Sequence, residues 1–512
     1  MARYAAVDIG SNSMRLLVAD VDAQGQLTRL AEDRQVTRLG ESVFTRGILD
    51  ENAIRLTEEV LTRFRGIVAS HGGASMRAVA TSATRDASNQ ADFLYRATAA
   101  LGAPIEIISG VEEARLIGLG VNVTWPQNDE PVLIIDVGGG SAEFVLMQSG
   151  SMVEGYSRPL GAVRLKEVFL DKDPPRRDQI LRLQEFIDEK LELVVRRLGR
   201  QAFVRGIATS ASAAAIVCAV NGIARNERVA ANQQSATQEQ VRKLYRELIE
   251  MPIDRRRTIT GIGPRRAEII VAGVAVFLRA MERFDLRALY YSNAGVREGI
   301  IADLDNRGGQ SRRSGKLPDE LRRTVETLAK RYGISLAHAK VTAAFAVELF
   351  DRLRPLHRLD PSYARLLEAA CHLLDVGHYV SDTSHHKHSH YLVKHADLPG
   401  FTEDEKQLIA LLCRFHRKST PANRHAELSV LSASQRRALE LLVPFVRIAD
   451  ALDRSRDQHV RLARCEIRGD EVILTLEAED GKDYALEEWA VERSGAAFRS
   501  VYDKQLVVSK GY

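Results

Sequence analysis

Cysteine is scarce: the 512-residue chain has four. Cys218, Cys371, Cys413 and Cys465 lie far apart and form no Cys-x-x-Cys pair. That argues against a disulfide framework and for reduced thiols in a cytoplasm. Long apolar runs are lacking as well. The longest near the middle, Ile269 to Leu278, is ten residues, whereas a membrane-spanning helix needs about twenty. The N-terminal stretch carries an acid at Asp8 and no secretory apolar region. An excess of one charge sign is absent: 72 Lys and Arg face 68 Asp and Glu, for a net +4. No whole-protein case for nucleic acid follows, so any anion site must be local. The 45% apolar and 27% charged content excludes collagen-like and wholly disordered chains. At roughly 100–200 residues per domain, the length predicts about three to four domains.

What is present is a repeat. The short apolar strand Tyr4 to Val7 runs into Asp8-Ile9-Gly10-Ser11-Asn12-Ser13, and a second strand, Leu16 to Ala19, follows. Val132 to Ile135 likewise runs into Asp136-Val137-Gly138-Gly139-Gly140-Ser141, followed by Ala142 to Met147. Each unit reads as a β-hairpin with a tight Gly/Ser turn opened by Asp. Two copies predict two similar α/β lobes facing each other across a cleft. Helices are predicted over 51–70 with Asp50 as N-cap, from about 111, and over 177–199; further strands are predicted at Ala78 to Ala80, Ile105 to Ile108, Val204 to Ala208 and Leu286 to Tyr291. Asn306 to Lys316, rich in Gly, Ser and Arg, reads as a linker. Beyond it the pattern is helical to about 458, and alternating segments from about 460 predict a small α/β tail. The expected division is 1–125 for the first lobe, 126–305 for the second, 306–316 for the linker, 317–458 for a helical domain and 459–512 for the tail.

The chemistry gathers at the turns. Small residues let backbone N–H groups converge on a phosphate, and a carboxylate before each turn can hold a hard cation such as Mg²⁺. Ser109 and Glu112 have capping-box spacing, which accounts for Glu112. Glu113 lies about 100° further round the helix, where a carboxylate could orient and deprotonate water. Arg85 closes a strand-end turn, and its forked guanidinium suits a phosphate clamp. Glu143 shares a strand face with Ser141. The basic runs Arg196-Arg197, Arg255-Arg256-Arg257 and Arg265-Arg266 read as solvated helix faces, Arg266 excepted.

These motifs resemble the exopolyphosphatase and guanosine pentaphosphate phosphohydrolase family. The resemblance is carried by Asp8–Ser13, Ala80–Arg85, Ile108–Leu116, Asp136–Glu143 and Val296–Gly299, then by His386–Ser389, Leu398–Phe401 and Phe415–Lys418. It implies a fold of two actin-like (ribonuclease H-like) α/β lobes, an all-helical HD-like domain and a small α/β tail. It also implies processive Mg²⁺-dependent hydrolysis of terminal phosphate from inorganic polyphosphate, with Glu113 as general base. By the same resemblance Asp8, Asp136 and Glu143 surround Mg²⁺. Ser11, Asn12, Ser13, Gly138, Gly139, Gly140, Ser141, Ser210 and Arg266 meet phosphate, and Arg85 assists catalysis. A monovalent cation such as K⁺ is a further cofactor it leaves open. The partners it implies are polyphosphate or guanosine pentaphosphate, with no membrane and no specific nucleic acid, in a cytoplasmic homodimer. The alternatives are guanosine pentaphosphate hydrolysis, an actin-fold kinase and a non-enzymatic polyphosphate or alarmone sensor.

Two departures stand out. The family's Gly-x-Ser-Gly-Thr-like loop corresponds here to Ala208-Thr209-Ser210-Ala211-Ser212, which argues against a tight nucleotide site. In the helical domain Ala369–Gly377 resembles an HD core in which Leu374 replaces the dyad histidine. His338, Asp375 and Asp450 match outer ligand positions, and His372 could substitute only on a rotated helix. Seven of the thirteen histidines fall between His372 and His395; a structural segment is the favoured reading over metal binding. With His416, Arg417 and Lys418 it could instead form a basic wall for a polyanion. Neutralising Arg417 and Lys418 would then weaken long-chain binding more than short-chain binding.

Overall fold

The protein is seen in a computed structural model, which describes residues 1–127, 129–199, 202–308, 315–422, 425–479 and 482–510. Residues 309–314 of the expected linker lie outside the described residues. The chain forms two compact units, Met1–Asn306 and Arg307–Tyr512.

The first unit is a duplication. Strands β1 (Ala2–Ile9), β2 (Ser13–Val21), β3 (Leu27–Val36), β4 (Ser75–Ala80) and β5 (Ile105–Ile107) make one sheet, ordered β3-β2-β1-β4-β5. Strands β6 (Val132–Val137), β7 (Ala142–Gln148), β8 (Ser151–Arg158), β9 (Arg205–Thr209), β10 (Ser235–Thr237) and β11 (Ala288–Tyr291) make the other, ordered β10-β11-β9-β6-β7-β8. Read from β8 to β11 the second sheet repeats the first. Each has an antiparallel meander whose first strand also pairs parallel with the strand after a helical crossover. This is the actin-like two-lobe arrangement. The central strands are buried, and β10 adds an antiparallel edge.

Helices cover the sheets where the apolar period predicts them. Glu51–Ser70 starts at Asp50, whose side chain accepts from the Asn52 N–H, and buries Ile54, Val60, Leu61, Phe64 and Val68 on one stripe. The apolar run Ile269 to Leu278 falls largely in helix Ile270–Arg283, which is buried nearly all round. Helix Gly110–Thr124 crosses helix Val296–Gly308 backbone to backbone. A methyl group built on Gly299 would stand 1.8 Å from the Leu116 carbonyl oxygen, so this crossing requires glycine.

Two local expectations are corrected. Ser109 Oγ does accept from the Glu112 N–H at 3.2 Å. The Glu112 carboxylate, however, does not complete a capping box; it enters a buried network with Arg115, Arg77 and Asp303. Arg256 is no solvated charge. It is buried, donates to the carbonyls of Met251 and Ala267, and pairs with Asp173.

The second unit packs helices from Asp319–Arg331 to Ala433–Ala451 around a Leu- and Phe-rich core. The tail is a three-stranded sheet of β12 (Val460–Arg468), β13 (Glu471–Ala478) and β14 (Gln505–Lys510), with helix Ala485–Tyr502 before β14. Its Val472, Leu474, Leu476, Val491 and Phe498 join the helical core. No helix among the described residues is long and apolar enough to cross a membrane.

Candidate active site

The two Asp-led turns meet. In each, the first glycine N–H donates to the carbonyl of the closing serine: Gly10 to Ser13 at 3.2 Å and Gly138 to Ser141 at 3.0 Å. Gly139 packs on the backbone of Asn12, where an added methyl would be 3.1 Å from its nitrogen, and Gly140 packs on Ser82 and Ser11. Arg164, not anticipated from sequence, clamps the contact. Its Nε donates to the Gly140 carbonyl at 2.7 Å and its Nη2 to Ser82 Oγ at 3.2 Å, and it pairs with Asp86 and stacks 4.0 Å from the Phe44 ring centroid.

Between the lobes lies a cavity of about 450 Å³. Asp8, Asp136 and Glu113 line it, with both turns, Ser210, Arg266 and five further arginines. Of the sequence-selected residues, Asp8, Ser11, Asn12, Ser13, Glu113, Asp136, Gly138, Gly139, Gly140, Ser141, Ser210 and Arg266 therefore share one wall. Glu143 and Arg85 are not among the lining residues. Glu143 is 1% exposed beside the cavity, its Oε1 accepting from Ser157 Oγ at 2.8 Å. Arg85 donates to the Ile108 carbonyl at 2.6 Å and stands 3.9 Å from Glu113 Oε2. Ser11 Oγ accepts from the Ala83 N–H at 3.1 Å, which ties the first turn to the strand-end turn.

The four carboxylates feel one another. Burial, and then the charge of Glu143, push Glu113 well above the ordinary carboxylate range, against the pull of Arg85. Burial and Asp136 raise Glu143 to about 8. Burial raises Asp136 to about 6 despite Arg15, and raises Asp8 despite Arg15 and Arg297. Glu113 Oε2 is buried with no hydrogen-bond partner. These hard oxygen donors, at or beside one cavity and each disfavoured as an anion by burial, are of the type that suits a divalent cation such as Mg²⁺.

The duplication is broken at one informative place. Asp8 pairs in register with Arg15, whereas Asp136 pairs with Glu143. Equivalent positions thus carry a cation in one lobe and an acid in the other. Arg15, Arg34 and Arg228 line the cavity with Arg266 and make no carboxylate ion pair among the described residues. Their mutual repulsion is felt: desolvation, then the neighbouring arginines, lower Arg34 to about 10 and Arg266 to about 9. Sequence reasoning missed Arg15, Arg34 and Arg228. Arg15 was within reach, because it stands seven residues after Asp8 as Glu143 does after Asp136.

At the Ala208–Ser212 stretch, Ser210 takes φ +91°, a conformation that favours glycine. Its Oγ accepts from the N–H groups of Ser212 and Ala213, so the side chain caps its own helix. Ser212 is fully buried and accepts from Arg266 Nη1 at 3.2 Å, so it positions that arginine rather than lining the cavity.

The Ppx/GppA phosphatase family model matches residues 17–307, and the Ppx/GppA phosphatase domain III model matches residues 321–493. The crystal structure of the Aquifex aeolicus Ppx/GppA family member is 28% identical over 60% of this chain and 99% of its own, with a TM-score of 0.53. An exopolyphosphatase from Cytophaga hutchinsonii is 25% identical over 59% of this chain and 98% of its own, at 0.55. An exopolyphosphatase-like protein is 27% identical over 60% of this chain and 98% of its own, at 0.57. Since the first model alone spans more than half of the sequence, the chain belongs to the Ppx/GppA phosphatase family.

Proposed function

We propose that this phosphatase is a Mg²⁺-dependent exopolyphosphatase that removes terminal phosphate from inorganic polyphosphate. The observation that carries the reading is the lining of one cavity: Asp8, Glu113 and Asp136 share it with Arg15, Arg34, Arg228 and Arg266, which make no carboxylate ion pair among the described residues. The cationic part continues. Arg34, Arg228 and Arg266 also line a second cavity of about 190 Å³, together with Arg225 and Arg265. No aromatic side chain among the described residues lines that second space, which favours a run of phosphates over a stacked base there.

In this reading the terminal phosphoryl group rests against the N–H groups of the two turns, and the bridging oxygens run toward the arginines. Asp8, Asp136 and Glu143 would hold Mg²⁺, which supplies charge neutralisation at the phosphoryl oxygens. Glu113 accepts a proton from water as the water oxygen bonds to the terminal phosphorus. The P–O bond to the next phosphate then breaks, and the leaving chain keeps the bridging oxygen and its electron pair. Arg85, at 3.9 Å, holds Glu113 toward its ionised form.

Phosphate release by wild type and Glu113→Gln, on polyphosphate and on guanosine pentaphosphate, tests this. The expected result is a kcat loss of about 10²–10⁴-fold in the variant with substrate binding kept, and a higher wild-type kcat/KM on polyphosphate. Turnover unchanged in Glu113→Gln would remove Glu113 from the chemistry. A higher kcat/KM on guanosine pentaphosphate would replace the substrate.

A further inference from the structure

The helical unit holds a second group of potential ligands, far from the Asp-led turns in sequence. Asp375, His385 and His416 are all buried, and one ligand atom from each lies within 4.8 Å of the other two. Asp375 follows the end of helix Ser362–Leu373, His385 opens helix His385–His395, and His416 ends helix Glu403–Phe415. Three elements thus converge on one point. His372, the substitute considered from sequence, is not part of it. That side chain is buried, and the charges it feels are Glu368, Glu326, Arg322 and Lys340.

The atoms are oriented as ligands are. His416 Nδ1 donates to the Cys413 carbonyl at 2.7 Å, which leaves Nε2 as the lone-pair nitrogen. That Nε2 faces His385 Nε2 at 3.2 Å. Two metal–nitrogen bonds of about 2.1 Å, 90–109° apart, span roughly 3.0–3.4 Å. The Asp375 carboxylate is held from outside: Arg456 Nη2 donates to Oδ2 at 2.5 Å, and Oδ1 is turned to His385 Nε2 at 3.8 Å and His378 Nε2 at 3.7 Å. A carboxylate and an imidazole, Asp375 and His416, are thus fixed through their outer atoms, the usual support of a metal centre. Near His416, the Asp450 carboxylate stands 3.4 Å from His338 Nε2, and His338 Nδ1 bonds Asp453 at 2.7 Å. Arg417 reaches the His385 ring at 3.3 Å but is solvent-exposed, so it can turn outward at little cost.

We propose that Asp375, His385 and His416 form a mononuclear site for a divalent first-row transition metal. Two imidazoles and one carboxylate suit Zn²⁺, Fe²⁺, Co²⁺ or Mn²⁺ and not Mg²⁺ or Ca²⁺, which prefer all-oxygen sets. Binding displaces the proton shared by the two facing nitrogens. The site lies within one compact unit and does not depend on the activity proposed above.

The full-length protein, stripped with chelator and desalted, would be titrated with Co²⁺. The expected result is one equivalent with visible d–d bands, displaced by Zn²⁺ and retained in Asp8→Asn. His385→Ala and His416→Ala should each weaken Co²⁺ binding by at least ~100-fold, and His388→Ala should not. Should either variant fold poorly in chelator, as judged by its melting temperature, the wild type still decides. Its Co²⁺ form must show a hyperfine-shifted, exchangeable imidazole N–H proton, that of His416 Nδ1. Absence of the bands up to millimolar Co²⁺, bands unaffected by both variants, or no such proton would reduce the cluster to a hydrogen-bonded histidine pair and overturn the proposal.

Discussion

Glu143 illustrates how a single residue reports its setting. Its carboxyl is raised to about 8 because it is buried beside Asp136. A raised acid pKa means that the folded protein keeps a proton which the unfolded chain has already lost. Its stabilising share is therefore present below the ordinary carboxylate range and is lost as pH rises toward 8. In chelator, where no divalent ion offsets the charge, Glu143→Gln should melt close to wild type near pH 5 and several degrees above it near pH 9. Thermal unfolding at the two pH values checks the sign; a difference that stays flat or reverses would show that Glu143 carries no such penalty. Glutamine keeps the oxygen that accepts from Ser157, so the comparison isolates charge. At this scale the sequence was legible where a spacing repeats. Glu113 could be separated from Glu112 by helix geometry alone. Arg34 and Arg228 could not be found, because nothing local distinguishes them among 72 basic residues.

Elements were legible to the extent that they bury an apolar face. Helix 51–70 and the two Asp-led hairpins follow from period and turn chemistry. The third strand of the first lobe, Leu27–Val36, was not anticipated. It is a charged, largely exposed edge strand that owes its conformation to pairing with Ser13–Val21. Helix contacts were equally hidden. Gly299 reads as one residue of a motif, yet it is the point where helix Val296–Gly308 touches the Leu116 carbonyl. Gly299→Ala should cost about 1–3 kcal/mol or more through overpacking, seen as a lower denaturant midpoint. Activity should fall with it, because the helix that Gly299 presses against, Gly110–Thr124, carries Glu113. An unchanged midpoint would mean that the two helices can part without loss.

The whole molecule is nearly neutral, and its net +4 hides a concentrated field. Arg15, Arg34, Arg225, Arg228, Arg265 and Arg266 come from distant parts of the chain and gather at two adjoining cavities. For a polyanionic substrate, kcat/KM should fall about tenfold or more between low and high salt while kcat changes little. The double variant Arg34→Ala, Arg225→Ala should show a shallower salt slope, and more so on long chains than on short ones. Initial rates across an ionic-strength series, with long and short polyphosphate, give this directly; equal slopes would place the arginines outside the substrate path.

The sequence alone determined the duplicated hairpins, the carboxylates that open them, the helix bearing Glu113 and the switch to a helical second half. These follow from local periodicity and turn chemistry, which act over a few residues. Only the tertiary structure decided which charges share a space: the arginine wall, the Arg164 clamp, the buried Arg77–Glu112–Arg115–Asp303 network and the meeting of Asp375 with His385 and His416. Most of these contacts join residues ten to hundreds of positions apart. Their electrostatics depend on distance and burial, neither of which a local pattern encodes.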